Sequence, residues 1–309
     1  MAHIVVVGSL NMDLVVRVPH MPVPGETILG SNFETIPGGK GANQAVGAAR
    51  MGAKVSMIGC VGDDEFGQAL VGNLQNEGVD ISHISISSSD ATGIAMITLD
   101  EKGQNSIVVA SGANMALTPE DVRKAWEVIE DIDLVVMPLE VSLPCIEETV
   151  RLASKDLVKV VLNPAPAQIL SDEILQNVDV LVPNESETSL LTGMDLTTTE
   201  EADQAAAKLL EKGPGTIVLT LGSRGSLLVT PNKASQIFEP YQVEVVDTTA
   251  AGDAFVAALS VGLADDLSFE DAVQQANAAG ALAVTKMGAQ PCMPTLDEVK
   301  KLIQSREEL

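Results

Sequence analysis

Short apolar runs alternate with helical patterns along almost the whole chain, and that alternation decides most of what it can fold into. The runs HIVVVGSL, KVSMIGCVG, LVVMPLE, VKVVLNPAP, DVLVPNE and TIVLTLG are brief and rich in β-branched residues. They lack the polar alternate positions of a half-wet strand, so both of their faces must be covered. Between most of them lie helix-forming stretches: DDEFGQALVGNLQNEG, TPEDVRKAWEVIED, CIEETVRLASK and EEADQAAAKLLEKG. TPED and SFED carry N-cap chemistry, with an acid three places after the Thr or Ser. The pattern predicts an α/β fold, a doubly wound and mainly parallel sheet flanked by helices. No shift of composition marks a boundary, so residues 1–309 read as one domain.

Two stretches break the rhythm. Residues 13–37 are interrupted by Pro19, Pro22, Pro24 and Pro37 and hold no good helix. Residues 91–110 read as a hairpin turning at DEKG. Together they are expected to form a small β-sheet lid over the strand C-termini, where open α/β sheets bind their ligands.

Acidic residues outnumber basic ones 43 to 18, a formal net charge of −25. Nucleic acids and anionic membrane surfaces are therefore poor partners, since both are held by basic groups. A phosphorylated ligand could still be held by backbone N–H groups, a helix N-terminus, a few Lys or Arg, or a metal ion. Cys60, Cys145 and Cys292 are odd in number and form no C-x-x-C, which points to a reducing, cytoplasmic setting. His3, His20 and His83 have no metal-ligand spacing. The opening apolar run reads as a first strand rather than a leader, and no run reaches the roughly 18 apolar residues of a membrane span.

Three places carry chemistry. In PGGKGANQAVGAARMG, residues 37–52, Gly38, Gly39 and Gly41 precede a helical stripe of Ala42, Ala45, Val46 and Ala49. Exposed N–H groups, Lys40 and Asn43 would suit a polyol. The Walker pattern fails because Gly41 follows Lys40, and the dinucleotide spacing fails at Gln44. In GSLNMD, Asn11 and Asp13 either bind hydroxyls or make an Asx turn into the lid. Glu140 in MPLE and Glu185 in PNE end strands facing the expected crevice. The most specific stretch is DTTAAGDAF, residues 247–255. A small-residue turn opens a helix there, so the N–H groups of Ala250, Ala251, Gly252 and Asp253 could stabilise developing negative charge. Asp253 could take a proton from an attacking hydroxyl, or simply cap the helix.

With these residues in view, the chain resembles the ribokinase family of carbohydrate kinases over essentially its whole length. GGKGANQA is similar to the family's first signature. DTTAAGDAF is similar to its second, usually D-T-x-G-A-G-D, with Ala250 in place of the first Gly. GSLNMD, NPAPA, PNE, TLGSRG and KMGAQP follow the family's order. The resemblance implies ATP-dependent phosphorylation of D-ribose at the 5-hydroxyl, with Asp253 as base, and a homodimer paired through the lid. It places the sugar on Asn11, Asp13, Gly39, Lys40, Gly41, Asn43 and Glu140. It places ATP on Asn184, Thr220, Gly222, Ser223, Gly225, Gly252 and Asn277, with Asn184 and Glu187 tied to Mg²⁺ through the N-x-x-E pattern. It also implies a potassium ion held mostly by backbone at Asp247, Thr249, Ala283, Lys286 and Gly288. Cys292 stands where Ser is frequent, and sulfur is a poor ligand for a hard cation. Close alternatives are kinases for 2-deoxyribose, fructose or adenosine. A sugar-binding regulator on the same fold is a more distant one, and a dehydrogenase lacks its fingerprint.

Overall fold

The computed structural model describes residues 1–101 and 104–307. Nine strands make the main sheet: β1 (His3–Val7), β4 (Lys54–Gly62), β5 (Asp80–Ser87), β8 (Leu134–Pro138), β9 (Lys159–Asn163), β10 (Val180–Leu181), β11 (Thr216–Thr220), β12 (Ser226–Val229) and β13 (Gln236–Phe238). Their order is β13-β12-β11-β10-β9-β8-β1-β4-β5. All pairs are parallel except β11 with β12 and β12 with β13. The chain winds one way from β1 to β5 and the other way from β8 onward. That reversal leaves a crevice beyond the C-terminal ends of β1 and β8.

Successive strand residues divide between two apolar layers. On one face Ile4, Val6, Met57 and Val136 pack beneath α1 (Lys40–Arg50), α2 (Glu65–Asn76), α8 (Ala251–Ala264), α9 (Phe269–Ala283) and α10 (Leu296–Glu307). On the other, Val5, Val7, Val135 and Met137 pack with α3 (Pro119–Trp126), α4 (Leu143–Asp156), α5 (Asp172–Gln176), α6 (Glu185–Thr192) and α7 (Thr199–Leu210). This is the doubly wound sheet that the alternation predicts. TPED is a full capping box, but α3 stops at Trp126, short of the expected reach to Asp131, which sits at φ +55°.

A second sheet of four strands has the order β3-β2-β6-β7, made by β2 (Asn11–Val18), β3 (Ser31–Gly38), β6 (Gly93–Asp100) and β7 (Asn105–Ala110). β6 and β7 pair antiparallel. Lys102 and Gly103 of the expected DEKG turn lie outside the described residues. Among the described residues no helix is long and apolar enough to cross a membrane.

Candidate active site

Two cavities open beyond the crevice, on either side of the α8 N-terminus. One, of about 650 Å³, lies between the sheets and is lined by Asn11, Asp13, Gly39, Lys40, Asn43, Glu140 and Asp253. Ile97, Ile107 and Val109 of the smaller sheet face it from above. Its floor depends on two glycines. A Cβ on Gly41 would stand 2.5 Å from the Ser9 nitrogen, and one on Gly39 2.6 Å from that of Asn11. Gly39 is also at φ +88°. Only bare backbone lets α1 sit this close to the β1–β2 connection.

The sequence pattern suggests free N–H groups at the mouth of α1; the structure corrects this. Lys40 N donates to Glu140 Oε2 at 3.0 Å, Gly41 N to Ser9 Oγ at 3.3 Å, and Ala42 N to Ser9 O at 2.9 Å. Ser9 Oγ in turn donates to Glu140 Oε2 at 2.5 Å. Glu140 therefore fastens α1 to the end of β1, besides facing the cavity. Asn114 does the same for Asn11, donating to its Oδ1 at 2.7 Å.

The mouth of α8 is different. Ala250 takes a left-handed conformation at φ +57°, and the first firm helical bond is Ala254 N to Ala250 O at 2.9 Å. Ala251 N reaches only Thr248 O at 3.4 Å, and the N–H groups of Gly252 and Asp253 have no acceptor among the described residues. A Cβ on Gly252 would meet nothing within 4 Å. Here two open donors and the helix dipole face empty space, a fit for an anion. Asp253 is buried and accepts from Asn43 Nδ2 at 2.9 Å and Gln44 Nε2 at 3.0 Å.

Electrostatics tie the group together. Asp253, then Glu140, holds the half-buried Lys40 ammonium charged against its desolvation. Burial, then Glu140 and Asp253, pushes Asp13 up to about 7. The folded-state value lies above the unfolded one, so the cost of ionising Asp13 is full above pH 7 and is lost as pH falls. Asp13→Asn should therefore raise Tm at pH 8 by roughly 2–6 °C, an advantage that shrinks by more than half at pH 5 and vanishes only below the ordinary carboxylate value of 3.8. Calorimetry at both pH values checks this; equal gains at both would remove the ionisation argument.

The second cavity, about 550 Å³, is lined by Asn184, Thr220, Gly222, Ser223, Gly225, Gly252 and Asn277, the full expected nucleotide set. Val243, Val245, Ala281 and Val284 add an apolar wall that the sequence reading missed. Asn184 and Glu187 form a capping box: Asn184 N and Nδ2 each donate to a Glu187 carboxylate oxygen at 2.8 Å. Both oxygens of Glu187 are thus engaged. Among the described residues no group of three or more His, Cys, Asp or Glu could hold a metal. Thr248 borders both cavities.

Residues 1–296 match the family described as pfkB family carbohydrate kinase. The chain belongs to the pfkB family of carbohydrate kinases. It is 43% identical to a ribokinase of Haemophilus influenzae over 97% of each chain. It is 41% identical to a ribokinase of Bacillus subtilis, over 98% of this chain and all of that one. A solved structure of Arabidopsis thaliana ribokinase complexed with ribose and ATP superposes with a TM-score of 0.90 at 34% identity, covering 98% of this chain and 99% of that one.

In this pfkB-family chain the loops expected to hold potassium do converge. Asp247 Oδ1 accepts from Thr249 N and Oγ1, and Oδ2 from Gly288 N at 3.0 Å. Val246 N and Asp247 N both donate to Val284 O, the residue after Ala283. Lys286 turns its side chain away to Glu298, at 2.9 Å. Cys292 Sγ donates to Ala289 O at 2.9 Å and lies 3.7 Å from Thr249 O. Burial pushes that thiol up to about 11, so it stays neutral.

Proposed function

We propose that this chain transfers the γ-phosphoryl group of ATP to the 5-hydroxyl of D-ribose, giving D-ribose 5-phosphate and ADP. The observation that carries the reading is the mouth of α8. It stands between a polar cavity with Asp13, Lys40, Asn43 and Glu140 and a second cavity with an apolar wall. ATP supplies the phosphoryl group, and Mg²⁺ arrives with its phosphates. Such ions usually keep several waters and need no all-protein cage, which agrees with Glu187 acting through water rather than directly. Lys40 and Asn43 orient the sugar, Asp253 receives the hydroxyl proton, and the Gly252 and Asp253 N–H groups meet the charge that develops. The smaller sheet acts as a lid that excludes water from the sugar. The ribose and ATP bound by the Arabidopsis relative support the same pair of ligands here.

Potassium would rest on the carbonyls of Thr249, Ala283 and Gly288 beside Asp247, with Cys292 contributing no hard ligand. A homodimer through the lid is supported by Phe33, Met96 and Val108, which stand about half exposed or more. A sedimentation mass of one chain would remove the dimer. The three buried cysteines suit a cytoplasmic setting.

The test is ADP release with Mg²⁺-ATP over ribose, 2-deoxyribose, fructose and adenosine, with potassium or with sodium alone. Ribose should give the highest kcat/KM, and potassium should raise it. Release ranked highest for another substrate would replace ribose. Ribose binding without turnover would make the chain a regulator. Constant turnover in sodium would remove the potassium site.

A further inference from the structure

Asp253 is gripped from two sides by neighbouring residues of one helix. Asn43 reaches its Oδ2 from the sugar cavity. Gln44, 1% exposed, reaches Oδ1 from the side of the sheet and borders neither cavity. The second N–H of the same Gln44 amide goes to Asn163 Oδ1 at 3.2 Å. Asn163, at the end of β9, gives its own amide to the carbonyl of Val182 at 3.0 Å. An unbroken chain of buried amides thus runs from sheet backbone to carboxylate. Its polarity is fixed: the two oxygens facing Gln44 admit only the NH₂ end. The other end, Gln44 Oε1, is buried with no partner among the described residues. A buried carbonyl left bare is costly and uncommon. An apolar side chain would fill the same space but take the donor from Asp253 Oδ1 and Asn163 Oδ1.

We propose that Gln44, anchored through Asn163, is a positioning residue that aims Asp253 Oδ1 at the attacking hydroxyl. A carboxylate held at both oxygens meets the attacking hydroxyl without reorganising. The other groups that act electrostatically on this site are Lys40 of α1, Asp13 of β2, Glu187 of α6 and the thiol of Cys292, with Glu140 beyond Asp13 and Lys40. Lys40 is the cation among them. With Asn43 on Oδ2, Gln44 supplies the fixed, neutral donor to Oδ1, where the remaining neighbours are acids or a thiol.

The inference rests on Asp253 being the base, so Asp253→Asn is measured alongside. The variants are Gln44→Met, close in size but without donors, Gln44→Glu, and Asn163→Ala, which frees the amide but leaves it in place. Steady-state kinetics with ribose and ATP separate kcat from KM. Gln44→Met should lower kcat about tenfold with ribose KM within about twofold. Gln44→Glu should fare worse, because a second carboxylate faces the first. Asn163→Ala should lower kcat in the same way by less, again with ribose KM held. Unchanged kcat in Gln44→Met, with Asp253→Asn inactive, would overturn the proposal. Activity in Asp253→Asn would overturn the base assignment instead. Should Gln44→Met fail to fold, an unchanged kcat in Asn163→Ala is the overturning result.

Discussion

Asp253→Asn is expected to lower kcat by about 10² or more while leaving the fold and sugar binding in place. The substitution keeps the size of the side chain and its place in the first turn of α8. It removes the proton acceptor. Its amide would also set an NH₂ group against the NH₂ donors of Asn43 or Gln44, since both carboxylate oxygens now accept. A modest loss of stability follows from that mismatch. The N–H groups of Gly252 and Asp253 are untouched, so the residual rate should still exceed the uncatalysed one. Single-turnover measurements with saturating ribose and ATP isolate the chemical step. A rate within threefold of the parent would mean that the hydroxyl proton leaves by another route.

Gly41→Ala is the second large effect. The added Cβ would stand 2.5 Å from Ser9 N, 2.6 Å from Gly8 C and 2.7 Å from Gly8 Cα. All three are backbone atoms, so no side chain can rotate out of the way. The helix must lift off the β1–β2 connection and stretch its bonds to Ser9 and Glu140. Overpacking of this kind costs about 1–3 kcal/mol. Lys40 and Asn43 ride on the same helix, so ribose KM should rise about tenfold or more as Tm falls. Gly252→Ala is the control. Its Cβ meets nothing within 4 Å, so Tm should hold while turnover drops, because the methyl group occupies the space in front of the open donors. A Gly41→Ala protein with parental Tm and KM would show that the junction is softer than its distances imply.

Lys40, Asn43 and Asp253 were legible because each lies in a contiguous run whose small residues announce a close approach. The parallel strands were legible because burial on both faces leaves a uniform apolar signature. Other features left no such trace. Gln44 sits one place beyond Asn43 on a buried helix face, and its partner Asn163 comes from a strand more than a hundred residues away. Ser9 and Asn114 act by fixing other side chains and the backbone of α1 and of Leu10. The apolar wall of Val243 and Val245 lies in irregular chain, where no period reveals a face. The satisfied mouth of α1 was misread for a related reason: a Gly-rich start looks the same whether Glu140 or a ligand takes its donors.

Only Gly8, Ser9 and Leu10 separate the end of β1 from the start of β2. Asn11 and Asp13, both facing the sugar cavity, are therefore at the root of a strand whose far end, Val18, lies roughly 23 Å away at ordinary strand rise. This makes β2 a lever with its fulcrum in the binding site. A rotation of a few degrees at the root, enough to bring two side chains onto a pair of hydroxyls, becomes a displacement of more than an ångström at the tip. Any shift of Asn11 and Asp13 at the root is therefore magnified at the outer end of the smaller sheet.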